Sequence, residues 1–111
     1  MMRVWILALA LTFATAGNAA ADITIGQWCD TAWPDGGAQI TITRNDAGAH
    51  RVTNQFAEGG VVAHRLRVSN GTYYAIGESF GQHYRIANDG TLRLFDNEGF
   101  IRSARAGRCR R

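Results

Sequence analysis

A chain of 111 residues is enough for one domain and too short for two sizeable cores. Twelve basic residues against nine acidic ones give a formal net charge of +3, and all twelve are arginine. That balance favours loose contact with anionic surfaces but by itself specifies no nucleic acid, and none is expected as a partner.

The chain opens MMRVWILALALTFATAGNAAAD. Arg3 supplies a positive start, residues 4–13 form a short apolar run, and Ala19-Ala20-Ala21 offers small residues for cleavage. This is the layout of a secretory signal peptide. The expected organisation is a signal peptide over 1–21 and a single β-domain over 22–111, periplasmic or secreted, with cleavage before Asp22. The apolar run is too short to cross a bilayer and no later segment is long enough, so no membrane span is expected. Loss of Arg3 leaves eleven basic and nine acidic residues, a net charge of +2.

Beyond the signal, turn signals recur at short intervals: PDGG at 34–37, NDAG at 45–48, EGG at 58–60, NG at 70–71, FG at 80–81, NDG at 88–90 and DNEG at 96–99. Between them lie β-rich runs at 39–44, 50–56, 61–69, 72–77, 82–87, 91–95 and 100–103. Asn-Gly and Asp-Gly between alternating runs are strong hairpin signals. No window supports a long amphipathic helix. With an opening strand around Trp28, the fold class is all-β: a small antiparallel up-and-down β-barrel or sandwich of about seven or eight strands.

Alternation assigns faces. In VVAHRLRVS, Val62, His64, Leu66 and Val68 share one face and Arg65 and Arg67 the other. A three-residue loop at Asn88-Asp89-Gly90 sets Ile86 opposite Leu92, Tyr84 opposite Leu94 and Arg85 opposite Arg93. The strand at 72–77 is ambiguous, because Tyr73, Tyr74 and Ile76 fall on both faces. Like charges directly across a ladder are unfavourable. Arg85 and Arg93, extended by Arg51, Arg65 and Arg67, therefore read either as a solvated basic face or as a docking surface for an acidic partner. The terminal RAGRCRR reads as a disordered, solvated tail, with an anion contact as the alternative.

Cys29 and Cys109 are the two cysteines. An exported chain with an even cysteine count forms disulfides, and only one pairing exists here. It closes a loop with 79 intervening residues, worth about 4.5 kcal/mol on the chain-entropy model. Two cysteines without spaced histidines make a poor zinc site. Asp96, Asn97 and Glu98 lack the spacing of a calcium loop. No metal and no cofactor is expected.

Gly77-Glu78-Ser79-Phe80-Gly81 fits G-x-S-x-G, the nucleophile elbow of serine hydrolases. The elbow requires a strand, a sharp turn and then a helix, but the residues after Ser79 alternate like a strand. GESFG therefore reads as a hairpin turn, and Ser79, His83 and Asp89 as at most a convergent triad that nothing requires. His64 on an apolar face reads as a packed core histidine. Asn70-Gly71-Thr72 matches a glycosylation sequon, and its Asn-Gly turn explains it without a glycan. Trp33 in AWPDGG reads as exposed and as a contact aromatic.

Two short stretches carry a family resemblance. Gly26-x-Trp28 resembles the opening-strand motif of lipocalin-like barrels, in which the tryptophan plugs one end. Ser79-Phe80-Gly81-Gln82-His83-Tyr84 resembles the S-G-x-x-Y loop of the exported membrane-bound and periplasmic inhibitors of C-type lysozyme, with one extra residue between serine and glycine. Glu98 precedes Gly99 where that family presents a lysine. The resemblance implies an exported barrel with a cysteine in its first strand and another at its end, and Ser79 and Tyr84 as contact residues. The expected function is a non-catalytic envelope binding protein, with inhibition of lysozyme or another hydrolase its sharpest form. The alternative is a small-ligand carrier or a structural envelope protein. The expected partner is a protein in the envelope or outside the cell, met by a monomer through Ser79, Gly81, Tyr84, Arg85 and Arg93.

Overall fold

The computed structural model describes residues 22–110, so the expected signal segment at 1–21 lies outside the described residues. Eight strands follow one another around a closed antiparallel barrel: β1 (Ile23–Asp30), β2 (Ala38–Arg44), β3 (His50–Gln55), β4 (Val61–Ser69), β5 (Thr72–Ala75), β6 (His83–Ile86), β7 (Leu92–Asp96) and β8 (Gly99–Ala106). Full closure removes the exposed sheet edges that an open meander of this size would present. Among the described residues, no helix is long and apolar enough to cross a membrane.

The alternation expected across β6 and β7 holds. Ile86 faces Leu92, Tyr84 faces Leu94, and Arg85 faces Arg93 across the β6–β7 ladder. Trp28, Ile40, Ile42, Val52, Leu66, Tyr84, Leu92, Leu94 and Ala104 fill the interior. The ambiguity at 72–77 resolves through pairing. Tyr73 sits opposite both Val68 and Tyr84 and turns inward, while Tyr74 joins the outer row. Asn70 and Gly71 have φ of 50° and 78°, the conformation that a two-residue type I′ turn demands.

One end is plugged. The Trp28 ring lies buried across the interior, and its Nε1 donates to the carbonyl of Gly90, in the β6–β7 turn, at 2.8 Å. Gly26 makes room for it: a Cβ at that position would overlap the indole at Cη2 and Cζ2. The G-x-W spacing is thus a steric requirement, since residues two apart on a strand share a face.

The closing seam between β1 and β8 is short, pairing only Trp28 with Ala106 and Cys29 with Arg105. Its reinforcement comes from the C-terminal segment, which is exposed but tied down, and this corrects the expectation of a disordered tail. The strand runs on through Ala106, and residues 107–109 fold back over the outside of β1. Gly107 N donates to Gln27 O at 2.9 Å, Cys109 N donates to Gln39 Oε1 at 2.7 Å, and Cys109 bonds to the fully buried Cys29. Gln39 Nε2 in turn donates to Trp28 O at 3.0 Å. The expected disulfide is therefore present and sits on the seam it must hold. Such a bond points to a non-cytoplasmic environment. Cys29→Ser should lower the melting midpoint of the oxidised protein by about 10–20 °C. Calorimetry showing an unchanged midpoint would mean that the disulfide does not hold the seam.

Candidate functional site: the open end of the barrel

The end opposite the Trp28 plug is open. Four connections ring it: residues 31–37, 56–60, 76–82 and the turn at 97–98. No arginine occurs in these connections, whereas Asp35, Glu58, Glu78 and Glu98 do, and Asp96 adjoins the last of them. The rim is thus acidic although the chain as a whole is basic. Arg51, Arg65, Arg67, Arg85 and Arg93 lie lower, on the outer wall.

The 76–82 connection contains GESFG and is held in one shape. The Glu78 carboxylate accepts from Phe80 N at 2.7 Å and from Gln82 N at 2.6 Å. Asn97 N donates to Phe80 O at 2.9 Å, which ties the loop to the neighbouring turn. His83 Nδ1 pairs with Gly81 O at 2.8 Å. Gly77 and Gly81 have φ of 83° and 72°, a region that favours glycine. A Cβ on Gly81 would also overlap the Asn97 amide. The loop therefore presents Phe80, 68% exposed, on a backbone pinned by two amides on Glu78 and by the Phe80 carbonyl on Asn97. Ser79 is exposed beside it. Asp89 lies in the β6–β7 turn at the plugged end, so Ser79, His83 and Asp89 do not assemble into a triad.

Below the rim lies a cavity of about 270 Å³. Ile40 and Leu94 of the core form part of its lining, and Asp30, Asn54, His64, Gln82, Tyr84 and Arg102 bring polar groups to it. Asp30, at the end of β1, is nearly buried and holds Arg102 of β8 in a two-pronged ion pair, Nε to Oδ1 at 2.8 Å and Nη2 to Oδ2 at 2.7 Å. The hydrogen bonds that Arg102 donates to Asp30 raise its guanidinium above the ordinary value. Tyr84 O–H donates to Gln82 Oε1 at 3.2 Å. Trp33 and Phe56 meet edge to face at 4.8 Å over the opening, which places Trp33 as expected, 45% exposed. His64 faces inward as alternation requires, but it lines the cavity and is only half-buried.

The sequence-derived contact residues separate into three places. Ser79 and Gly81 belong to the rim loop, and Tyr84 lines the cavity from within. Arg85 and Arg93 face each other on the outer wall. There Arg85 Nη1 donates to Thr72 Oγ1, and Arg93 lies 4.5 Å over the Phe100 ring. The carboxyl of Asp89, fully exposed, is held below its usual range by hydrogen bonds from Thr91, with Arg93 a smaller contribution. An outer row of directly paired residues runs Arg67, Tyr74, His83, Phe95 and Phe100. Tyr74, His83 and Phe95 stack in turn, Phe100 meets Phe95 edge to face, and Arg67 caps the row 4.4 Å from the Tyr74 centroid. Cation–π contacts of this kind offset part of the repulsion between neighbouring arginines.

Sequence reasoning did not single out Phe80, Asn54, Gln82, Asp30 or Arg102. The signal for Arg102 was an inverted pattern: in FIRSARA the exposed position holds Ile101 and the inward one holds Arg102. Asn54 shares the inward register of Val52.

No family model matches the chain, and no curated protein and no solved structure matches it either.

Burial pushes the Tyr84 hydroxyl up to about 12, from 10.0, against the opposing effect of a hydrogen bond with Asn54. A raised acid favours the neutral form in the folded state. Its contribution to stability is thus complete below pH 10 and lost as pH climbs towards 12. Urea unfolding across that window should show a loss of stability that Tyr84→Phe lacks. Equal slopes for the two proteins would contradict it.

Proposed function

We propose that the protein is a non-catalytic binding protein, periplasmic or secreted, that grips a protein partner with the open end of its barrel. Inhibition of a hydrolase, C-type lysozyme foremost, is the form we favour. The observation that carries this reading is the 76–82 loop, which projects Phe80 on a backbone ordered before any partner arrives. Preorganisation of that kind lowers the entropic cost of binding. An exposed aromatic anchor in a rigid loop is also where interface energy concentrates.

Charge favours the same target. The rim loops carry acidic residues and no arginine, so a basic enzyme, as C-type lysozymes commonly are, finds complementary charge at the rim. The arginines of the outer wall stand clear of that approach. Acidic rim residues would steer encounter and make association fall with salt. Glu98, where the resembling family has lysine, belongs to this acidic rim.

The test is a titration of C-type lysozyme with the oxidised protein, reading both lysis of a cell-wall substrate and complex formation. Inhibition near equimolar ratio is expected, with association slowed by added salt. Phe80→Ala should weaken binding at least roughly tenfold, while Arg85→Ala leaves it nearly unchanged. No complex at about 10 μM of each protein, an affinity weaker than most specific pairs show, would overturn the lysozyme assignment.

A further inference from the structure

The cavity under the rim has a chemistry of its own, separate from the Phe80 loop. Its polar groups come from several strands: Asp30 from β1, Asn54 from β3, His64 from β4, Tyr84 from β6 and Arg102 from β8. They surround the space instead of lining one wall.

Hydrogen-bonding capacity remains after the internal bonds are made. Arg102 uses Nε and Nη2 on Asp30, and Nη1 has no partner among the described residues. The His64 imidazole has none either, and it can donate through one nitrogen and accept through the other. Gln82 accepts from Tyr84 through Oε1, which leaves its NH2 group as a donor. The Asn54 amide hydrogen-bonds the Tyr84 hydroxyl, which leaves Asn54 its second N–H and its carbonyl oxygen for a ligand.

Formal charge is absent on balance. Asp30 neutralises Arg102 within the cavity wall, so a bound anion or cation would lose hydration without gaining a counter-ion. A wholly apolar ligand is disfavoured for the opposite reason, because it would cover Arg102 Nη1, His64 and Asn54 without replacing their water. One side of the opening is nevertheless apolar, where the Trp33 indole leans on Phe56 and remains 45% exposed. A volume of about 270 Å³ falls just below the usual range for drug-sized ligands. It suits a single ring, with any second ring emerging over Trp33.

The requirements are therefore a neutral ligand, dense in groups that both donate and accept, apolar on one face and one ring in size. A flat heteroaromatic ring presents its polar atoms in a single plane, whereas these side chains surround the space. A pyranose offers hydroxyls around its rim and a C–H face that can lie on an indole. We propose that the cavity is a binding site for a neutral saccharide, with Trp33 as the stacking platform and Asn54, His64 and Arg102 Nη1 as hydroxyl partners.

The experiment titrates the oxidised protein with glucose, galactose, mannose and N-acetylglucosamine, and with cellobiose and chitobiose for the second ring. Tryptophan emission and two-dimensional amide NMR are the readouts. At least one sugar should saturate with a dissociation constant in roughly the millimolar range, as a small ligand of few contacts would. Salt between roughly 50 and 500 mM should not change it, because a neutral ligand brings no charge to screen. Trp33→Ala should abolish the emission change, and Asn54→Ala should weaken binding by at least about tenfold as read by NMR. His64→Ala, at a half-exposed position, provides a second variant should Asn54→Ala fail to fold. Phe80→Ala should leave sugar affinity unchanged, which separates this site from the rim loop: lysozyme binding can fail while sugar binding stands, and the reverse. Absence of saturation by every sugar at about 100 mM overturns the proposal. So does full affinity in Trp33→Ala, or saturation by adenosine or laurate in place of the sugars.

Discussion

The structure depends on a seam. Every other ladder in the barrel pairs at least three residues, but β1 and β8 meet over two pairs, Trp28 with Ala106 and Cys29 with Arg105. A seam that short would leave two strand edges ready to part. Three things hold it: the disulfide at Cys29, the Gln39 amide bridging Trp28 O and Cys109 N, and the Trp28 indole anchored on Gly90. All three lie within two residues of the same point on β1 or directly opposite it. Closure of the barrel and plugging of one end are therefore a single local event. The ion pair of Asp30 with Arg102 belongs to it too, because it joins the next inward position of β1 to β8.

With one end filled by tryptophan, the interior changes character along its axis. Around Trp28 the inward side chains are Ile42, Val52, Leu92 and Ala104, all buried. Towards the other end they become Asn54, His64, Tyr84, Arg102 and Asp30, and a cavity opens. A barrel of eight strands has an interior just wide enough for side chains to fill or for one small ligand. Here both conditions occur, one at each end. The same polarity appears outside, where the rim is acidic and the wall carries arginines in opposed pairs, Arg51 with Arg65 and Arg85 with Arg93. Neither opposed pair favours folding. Thr72 and the outer aromatic row absorb part of the cost.

Most of the fold was legible because antiparallel strands write their faces in the chain with period two. The β6–β7 register followed from one turn, since Asn88-Asp89-Gly90 leaves a single pairing in which Leu92 and Leu94 meet apolar partners. Strand ends were less legible. The last strand continues through Arg105 and Ala106 because the tail folds back to reach Cys29, a long-range contact that local propensity does not report. The site was legible only in part. Ser79 and Gly81 belong to a loop whose shape depends on Glu78 capturing two amides, and nothing in G-x-S-x-G distinguishes that from a plain turn. Tyr84 was expected as a contact residue only through the S-G-x-x-Y resemblance, whereas alternation already set it opposite Leu94, and its register with Tyr73 and Leu94 does commit the ring to the interior. Arg102 breaks the hydrophobic pattern of its strand, and only the closed barrel reveals that Asp30 is there to receive it.

The proposed function requires recognition at the open end and not on the arginine wall. Hydrogen exchange of the oxidised protein, free and mixed with C-type lysozyme, tests it most directly. Slowed exchange is expected in 31–37, 56–60 and 76–82, with the outer wall of β6 and β7 unchanged. Protection confined to the arginine wall, or no protection anywhere, would contradict it.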